Sequence, residues 1–183
     1  MPKRRMKRHA VTQPLEQSYR LIPLTQCQNA IVDAGDFHFL SQWNWYAFWS
    51  PCTSSFYARR NVFLGNGKWQ TIPMHEQLLG VMCDHIDHST LDNRRKNLRK
   101  CSWLENRRNA RPKKNCSSAY KGVYFHKVNK VWGACISVNH RKRHLGCFSS
   151  SEEAAKAYDA AAAKHYGRFA FLNFPKDKVE NGQ

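Results

Sequence analysis

Apolar and polar residues in the first half of the chain are arranged in short runs, as in strands. Between residues 19 and 80, aromatic and β-branched residues recur in runs that Gly, Pro, Asn and Ser interrupt. These runs predict the strands YRLIPL, NAIV, WNWYAF, SFYARRNVF and KWQTI, with a hairpin turn in LGNGK at 64–68. The sequence MHEQLLG after Pro73 predicts a short helix that begins at Met74 and ends at Gly80.

The second half of the chain predicts three more strands and a longer helix. The strands are expected at 119–126, 131–138 and 143–149, with turns at KVNK and NHRK. The helix is expected from Glu152 to Tyr166, with Gly167 at its end. Its start is indicated by two capping boxes, Ser149 with Glu152 and Ser150 with Glu153.

Alternation along 131–138 distinguishes the two faces of the middle strand. Apolar residues at every second position share one face, which suits the alanine-rich helix: Trp132, Ala134, Ile136 and Val138. The other face is expected to be small and open: Val131, Gly133, Cys135 and Ser137. The predicted fold class is therefore α+β.

Two small modules in tandem are expected, because ARPKKNCSS has the composition of a linker. The predicted ranges are a basic disordered arm at 1–18, a first domain at 19–110, a linker at 111–118, a second domain at 119–175 and a tail at 176–183. Three tryptophans of the first domain are expected in its core, with DNA contact as the alternative: Trp43, Trp45 and Trp49.

Charge indicates the class of partner. The 183 residues contain 30 Lys and Arg against 13 Asp and Glu, a net charge of +17, which favours a polyanionic partner. No charge-free stretch reaches the roughly 20 residues of a membrane span, and no apolar signal segment follows the N-terminus. Seven scattered cysteines lack the close pairs of a zinc site, so reduced thiols are expected. We expect a cytoplasmic protein without a membrane or an obligate protein partner.

The densest chemistry lies between Cys83 and Asn109. Hydrolysis of a phosphodiester needs a base, a divalent cation and a cationic surface, and an Asp-His pair at a strand end can supply a metal ligand and a base. Each residue also has a simpler interpretation, since an Asp-His pair is commonly a surface hydrogen bond and Asn93 and Asn97 suit turns.

The segment 71–110 resembles the HNH (ββα-metal) nuclease motif of phage homing endonucleases. The resemblance rests on Asp84-His85, on Asn93-Arg94-Arg95 followed by Asn97-Leu98, and on Glu105-Asn106. It implies a ββα-metal module in which His85 activates water, Asp84 and Asn106 bind Mg²⁺ or another hard divalent cation, and Asn97 pins the loop. The motif commonly has Arg where Glu76 stands and Gly where His88 stands.

The basic residues around this motif are expected to hold the DNA backbone. They are Arg94, Arg95, Lys96, Arg99, Lys100, Arg107 and Arg108.

Residues 116–175 resemble the plant ethylene-response-factor (apetala-two) DNA-binding domain. The resemblance rests on Tyr120-Lys121-Gly122-Val123, on Trp132-Gly133-Ala134-Cys135-Ile136 and on Ala170-Phe171-Leu172-Asn173-Phe174-Pro175. It implies a three-stranded antiparallel sheet packed on one helix, with the sheet in the major groove. The predicted contacts rim the open face, and a charged sheet edge that prevents aggregation is the alternative: Lys121, His126, Lys127, Arg141, Lys142 and Arg143.

Together these patterns predict a metal-dependent HNH endonuclease of the homing type, positioned on duplex DNA by a C-terminal module. Its expected setting is the cytoplasm of a bacterial or phage-infected cell. The alternative is a non-catalytic DNA-binding regulator with a decayed nuclease motif, and a third possibility is RNA binding without catalysis.

Overall fold

The computed structural model describes residues 8–112 and 117–175. Part of the predicted arm, the linker residues 113–116 and the tail at 176–183 lie outside this range. The described residues form four small antiparallel sheets and four α-helices, which confirms the α+β class. None of these helices is both long and apolar enough to cross a membrane. Two compact units divide between Trp103 and Leu104, whereas the sequence placed the boundary at 111–118.

The first unit consists mainly of antiparallel strands. Its elements are β1 (Tyr19–Pro23), β2 (Asn29–Asp33), α1 (Ala34–Ser41), β3 (Tyr46–Ser50), β4 (Ser55–Gly65), β5 (Lys68–Pro73), α2 (Met74–Leu79), β6 (Cys83–His85) and β7 (Leu98–Lys100), and α3 (Trp103–Asn109) begins at its last residue. The sheets are β1-β2, β3-β4-β5 and β6-β7.

The strands and turns that the sequence predicted in the first unit are confirmed, except that β3 begins at Tyr46, so the first three residues of the predicted WNWYAF strand lie before it. Asn66 and Gly67 both have positive φ angles, +49° and +73°, as a two-residue hairpin turn of type I′ requires. Gly80, at φ +67°, ends α2 in the left-handed conformation. Helix α1 was not predicted, because its apolar residues do not follow one stripe and only Leu40 is buried.

The core of the first unit lies on one side of the β3-β4-β5 sheet. Ala47 and Ala58 of this sheet pack with Leu40, Trp45 and Met74, all of them buried. The core interpretation is therefore right for Trp45, whose indole Nε1 donates to the Leu40 carbonyl at 2.8 Å.

The second unit is a three-stranded sheet covered by one helix, as predicted. Its elements are β8 (Val123–His126), β9 (Val131–Val138), β10 (Arg141–Phe148), α4 (Ser151–Tyr166) and a 3₁₀ turn (Gly167–Phe169), with the sheet order β10-β9-β8. Of the two expected capping boxes, the structure forms one: Ser150 Oγ accepts from the Glu153 backbone N–H at 3.2 Å, which caps α4.

The predicted alternation of β9 decides which face α4 covers. Ala134, Ile136 and Val138 are buried against α4, where they meet Ala154, Ala155, Tyr158, Ala162 and Tyr166. The small side chains of the helix permit close packing on the strands.

The described part of the structure gives no evidence for the expected ββα-metal module, and the contacts that it shows for the end of α3 are with the second unit. Lys121 Nζ donates to the carbonyl oxygens of Arg108 (2.7 Å) and Ala110 (2.6 Å) at the C-terminal end of α3. The Arg108 guanidinium also lies 4.8 Å from the Tyr166 ring centroid. Strands β6 and β7 are assigned to the first unit, and the boundary between the units falls within α3.

Candidate nucleic-acid interface

The face of the C-terminal sheet that α4 does not cover is defined by strand register. On β9 it carries Val131, Gly133, Cys135 and Ser137, opposite the buried residues of the same strand. Across the pairings, Tyr124 lies beside Gly133, His144 beside Cys135 and Lys142 beside Ser137. We call the surface formed by Tyr124, His126, Gly133, Cys135, Ser137, Lys142, His144 and Cys147 the open face.

The open face is less bare than the sequence suggested, because the Tyr124 ring lies over Gly133. A Cβ atom at position 133 would overlap this ring and approach its hydroxyl oxygen to 2.7 Å. Gly133 is therefore required by the cross-strand tyrosine. The backbone is therefore not bare at this position, since the phenol of Tyr124 occupies the space above Gly133.

The polar groups of the open face contact one another across the strands. The Tyr124 hydroxyl lies 3.3 Å from His144 Nδ1, and His144 Nε2 lies 3.7 Å from Cys147 Sγ. Lys142 Nζ lies 5.5 Å from the Tyr124 ring centroid. Tyr124 and His144 were not among the predicted site residues, although extending the alternation of β9 across the turns at 127–130 and 139–140 would have placed them on this face.

The predicted contacts of the second unit fall into three positions. Lys121 is held at the end of α3 by the carbonyls described above, so it acts as a C-terminal helix cap. Arg141 and Arg143 pair with Val138 and Ile136, which places them at the β10 edge on the side that α4 covers. His126 and Lys127 are exposed at the end of β8.

The second unit also has an uneven distribution of acidic residues. No Asp or Glu occurs between Glu105 and Glu152, a stretch that includes all three strands. The three strands therefore carry cations but no carboxylates, and the field of the sheet attracts an anion.

The basic run in the first unit is largely neutralised within that unit. Arg94 pairs with Asp92, Arg95 makes two hydrogen bonds of 2.8 Å with Asp36, and Arg99 lies 2.8 Å from Asp84. Lys96 and Lys100 are exposed. Three of the predicted backbone contacts are thus already used by the fold. For Arg95 the sequence could not show this, because its partner Asp36 is 59 residues away.

Asp84 and His85 lie in β6, and both side chains are buried. The His85 ring packs against the His75 ring with centroids 4.8 Å apart. Burial lowers the pKa of His85, and a hydrogen bond with Asn93 opposes this shift. Burial also lowers the pKa of His75 to about 3, and the nearby His85 and Arg59 add to the effect.

Because His75 is buried in its neutral form, the first unit is expected to lose stability in mild acid. Between the unfolded pKa near 6.5 and the folded pKa the unfolded chain binds more protons, so stability falls as the pH drops. In urea unfolding of wild type, the free energy of unfolding is expected to be lower at pH 5 than at pH 7.5, and His75 is expected to account for about 2 kcal/mol of this decrease. The His75→Gln variant removes this part of the pH dependence, whereas His9→Gln, at an exposed position, retains it. Equal pH dependence in wild type and His75→Gln would refute the prediction.

Asn97 ties the loop between β6 and β7 together. Its side-chain oxygen accepts from the Asp87 backbone N–H at 3.1 Å, and its amide donates to the Asp92 carbonyl at 3.0 Å. His88 in this loop has a φ of +65°, a left-handed conformation that glycine adopts more readily. These hydrogen bonds hold the loop in one conformation, which is a structural role for Asn97 that needs no catalytic function.

Asn106 lies on α3 in the second unit, whereas its expected partner Asp84 lies in the first. Arg107 of the same helix is exposed. Within residues 8–112 and 117–175 no group of three or more His, Cys, Asp or Glu is placed to hold a metal ion. Binding of Mg²⁺ or another hard divalent cation stays a prediction.

Curated proteins similar to this chain are plant proteins with AP2/ERF domains. An AP2/ERF and B3 domain-containing protein of Oryza sativa subsp. japonica is 49% identical over 59 residues, which is 32% of this chain and 16% of that protein. The transcription factor RAV1 of Arabidopsis thaliana is 39% identical over 79 residues, which is 43% of this chain and 23% of that protein. The transcription repressor TEM1 of the same plant is 45% identical over 64 residues, 35% of this chain and 17% of that protein.

The chain thus spans less than a quarter of the length of these relatives. No protein-family model matches the chain, and no solved structure matches it.

These relatives contradict the prediction of an HNH endonuclease that hydrolyses DNA. They are named as AP2/ERF proteins, two of them as a transcription factor and a transcription repressor, and none of the three is named as a nuclease. The interpretations of this chain as a hydrolase, a homing enzyme and a phage or bacterial protein are therefore wrong, and His85, Asp84, Asn97 and Asn106 have no supported catalytic role. The similarity instead supports DNA binding, in agreement with the C-terminal sheet and helix.

Proposed function

We propose that this chain is a non-catalytic DNA-binding regulator of transcription that contacts duplex DNA through the open face of its C-terminal sheet. The observation that carries the proposal is the asymmetry of this sheet, which has one face covered by α4 and the other free of carboxylates. The names of the relatives, transcription factor and transcription repressor, support the same function.

The strands and side chains of the open face suit the major groove of B-form DNA. That groove, about 12 Å wide, admits strands of a sheet. Lys142 would contact phosphate, whereas the Tyr124 hydroxyl and the His144 ring would reach base edges as donors or acceptors. Because Cys135 and Ser137 are small, the longer side chains of the open face would extend beyond them and contact the DNA first.

Other predicted residues would then act at the margins. Arg141, Arg143, His126 and Lys127 would contact flanking phosphates, which adds affinity without sequence information. A regulator of transcription would act in the nucleus, and the basic N-terminal arm would add non-specific affinity there.

Replacement of Lys142 tests the proposed orientation of the sheet on DNA. A preferred duplex is first selected from a random-sequence pool, and binding is then measured by fluorescence anisotropy at several salt concentrations. Lys142→Ala is expected to lower the slope of log K against log salt by about 1, as loss of one phosphate contact does. Lys164→Ala removes the same charge from an exposed position on α4 and is expected to leave the slope unchanged.

The proposal is refuted if the two lysine variants change binding equally, or if selection recovers no preferred duplex. The same titration with an RNA hairpin distinguishes the remaining alternative. Tighter binding of RNA than of the selected duplex would indicate an RNA-binding protein.

A further inference from the structure

A second surface whose side chains suit a nucleic acid ligand lies on the β3-β4-β5 sheet of the first unit. Ala47 and Ala58 turn one side of this sheet to the core, so residues at the alternate positions face outward. We call this outward side the aromatic face. It consists of Tyr46, Phe48, Arg59, Asn61, Phe63, Trp69 and Thr71. Tyr57 lies on the same side of the sheet, but its ring packs near the buried rings of His75 and His85, with centroids 6.1 Å and 6.2 Å away.

The rings of the aromatic face are exposed to an extent that is unusual for large apolar side chains. Trp69 is 67% exposed, Phe63 is 55% exposed and Phe48 is 36% exposed. Phe63 and Trp69 are cross-strand neighbours with ring centroids 5.0 Å apart. Clustered exposed rings of this kind mark a binding surface.

Arginine and amide groups lie among these rings. The Arg59 guanidinium lies 3.8 Å from the Phe48 ring centroid, so its flat face is presented on an aromatic support. Asn61 Oδ1 accepts from the Tyr46 hydroxyl at 3.1 Å and from Thr71 Oγ1 at 2.9 Å. This orientation leaves the Asn61 amide nitrogen, among the described residues, as a donor for a ligand.

Charge identifies the kind of occupant. No Asp or Glu occurs between residues 37 and 75, whereas Arg59, Arg60 and Lys68 lie in the strands. Within the described part of the chain Arg59 forms no ion pair. A second copy of this chain would bring two such acid-free surfaces together, with repulsion between their arginines. A polyanion with flat apolar groups is complementary to both the charge and the rings.

We infer that the aromatic face binds single-stranded nucleic acid, with unpaired bases stacked on Trp69, Phe63 and the Phe48–Arg59 pair. Bases in a duplex are already stacked on one another and present only their edges, so exposed flat rings select strands whose bases are free. Arg59 and Lys68 would contact the phosphates between the stacked bases. The inference concerns the first unit and does not rest on duplex binding by the second.

The test uses the full chain and a fluorescein-labelled mixed-sequence DNA strand of roughly 20 nucleotides, longer than one stacking site of about 4–16 nucleotides. Trp69→Ala and Phe63→Ala are each expected to weaken binding of this strand roughly 5- to 100-fold, the range for loss of one stacked base. Leu64→Ala is the matched control, because Leu64 is a large apolar side chain of the same strand that is 60% exposed and has no pairing partner on β5. An RNA strand of the same sequence distinguishes the two sources of unpaired bases.

A fluorescence readout separates stacking from a loss of folded protein. In wild type, base stacking on Trp69 is expected to quench its fluorescence. Trp69→Phe keeps an aromatic ring, so it is expected to bind the strand nearly as well as wild type but to lack this part of the quenching. Equal affinity of Trp69→Ala and Leu64→Ala for the strand would overturn the inference. The inference would also be overturned if wild type sedimented as a dimer and Trp69→Ala as a monomer, because the aromatic face would then bind a second copy of the chain. Failure of the selected duplex to bind, with these results intact, would refute only the proposed function.

Discussion

Gly122→Ala is expected to unfold much of the C-terminal unit at temperatures where wild type is folded. Gly122 has a φ of +77°, and a Cβ atom there would overlap the ring of Tyr158. Tyr158 is buried between α4 and the sheet and cannot move without displacing Ile136 and Ala162. The left-handed conformation costs about 1–2 kcal/mol for alanine and the overlap a further 1–3 kcal/mol, a total of about 2–5 kcal/mol.

Amide hydrogen exchange resolved by mass spectrometry checks this expectation within the intact chain. Peptides from 117–175 are expected to lose protection in Gly122→Ala, while peptides from the first unit keep it. Gly80→Ala is the control, because Gly80 has a φ of +67° with no atom within 4 Å of its Cβ position. Its unit is expected to lose only about 1–2 kcal/mol. Equal losses of stability in the two variants would show that the Tyr158 ring can move aside at little cost, which would contradict the expectation.

Trp45→Ala is expected to destabilise the first unit by about 3–5 kcal/mol, the range for removal of a large buried aromatic side chain. Trp45 is 1% exposed, and its neighbours include Leu40 and Met74. The substitution leaves a cavity and also removes the donor that satisfies the Leu40 carbonyl. Hydrogen exchange of peptides from the first unit, or urea unfolding, measures the loss.

Two further tryptophan variants separate packing from hydrogen bonding. Trp45→Phe keeps part of the ring volume but lacks the N–H donor, so its loss should fall between wild type and Trp45→Ala. Trp49→Ala removes a side chain that is 46% exposed and packs only edge-on against Phe56. A loss of about 1 kcal/mol is expected. If Trp49→Ala is as destabilising as Trp45→Ala, the core assignment is wrong.

The positions that sequence could predict are those where local chemistry decides the outcome. The Asn66-Gly67 turn requires positive φ angles at both residues, and Ser150 satisfies a backbone donor of its own helix. Alternation placed Ile136 and Val138 on the buried side, because a strand turns successive side chains to opposite faces. Helix α1 lacked such a signal, and only the burial of Leu40 accounts for it.

The candidate site was predicted less well, because the order and spacing of residues in a motif do not establish the activity of a protein. Asp84-His85 and Asn106 follow the order of a nuclease motif, whereas the contacts seen at the end of α3 are structural ones with Lys121 and Tyr166. The similarity to AP2/ERF proteins then removed the catalytic interpretation. In contrast, the interpretation of the C-terminal segment depended on a complete pattern of strands and a helix, which the structure contains.

The net charge of +17 and the absence of acidic residues from 37–75 and 106–151 can be read directly from the amino-acid sequence. Which of these charges are available to a partner depends on the fold. Arg95 and Arg99 are held by Asp36 and Asp84, whereas Lys142 projects from an exposed strand. Composition sets the total charge, but pairing depends on distances of a few ångströms between residues far apart in the chain.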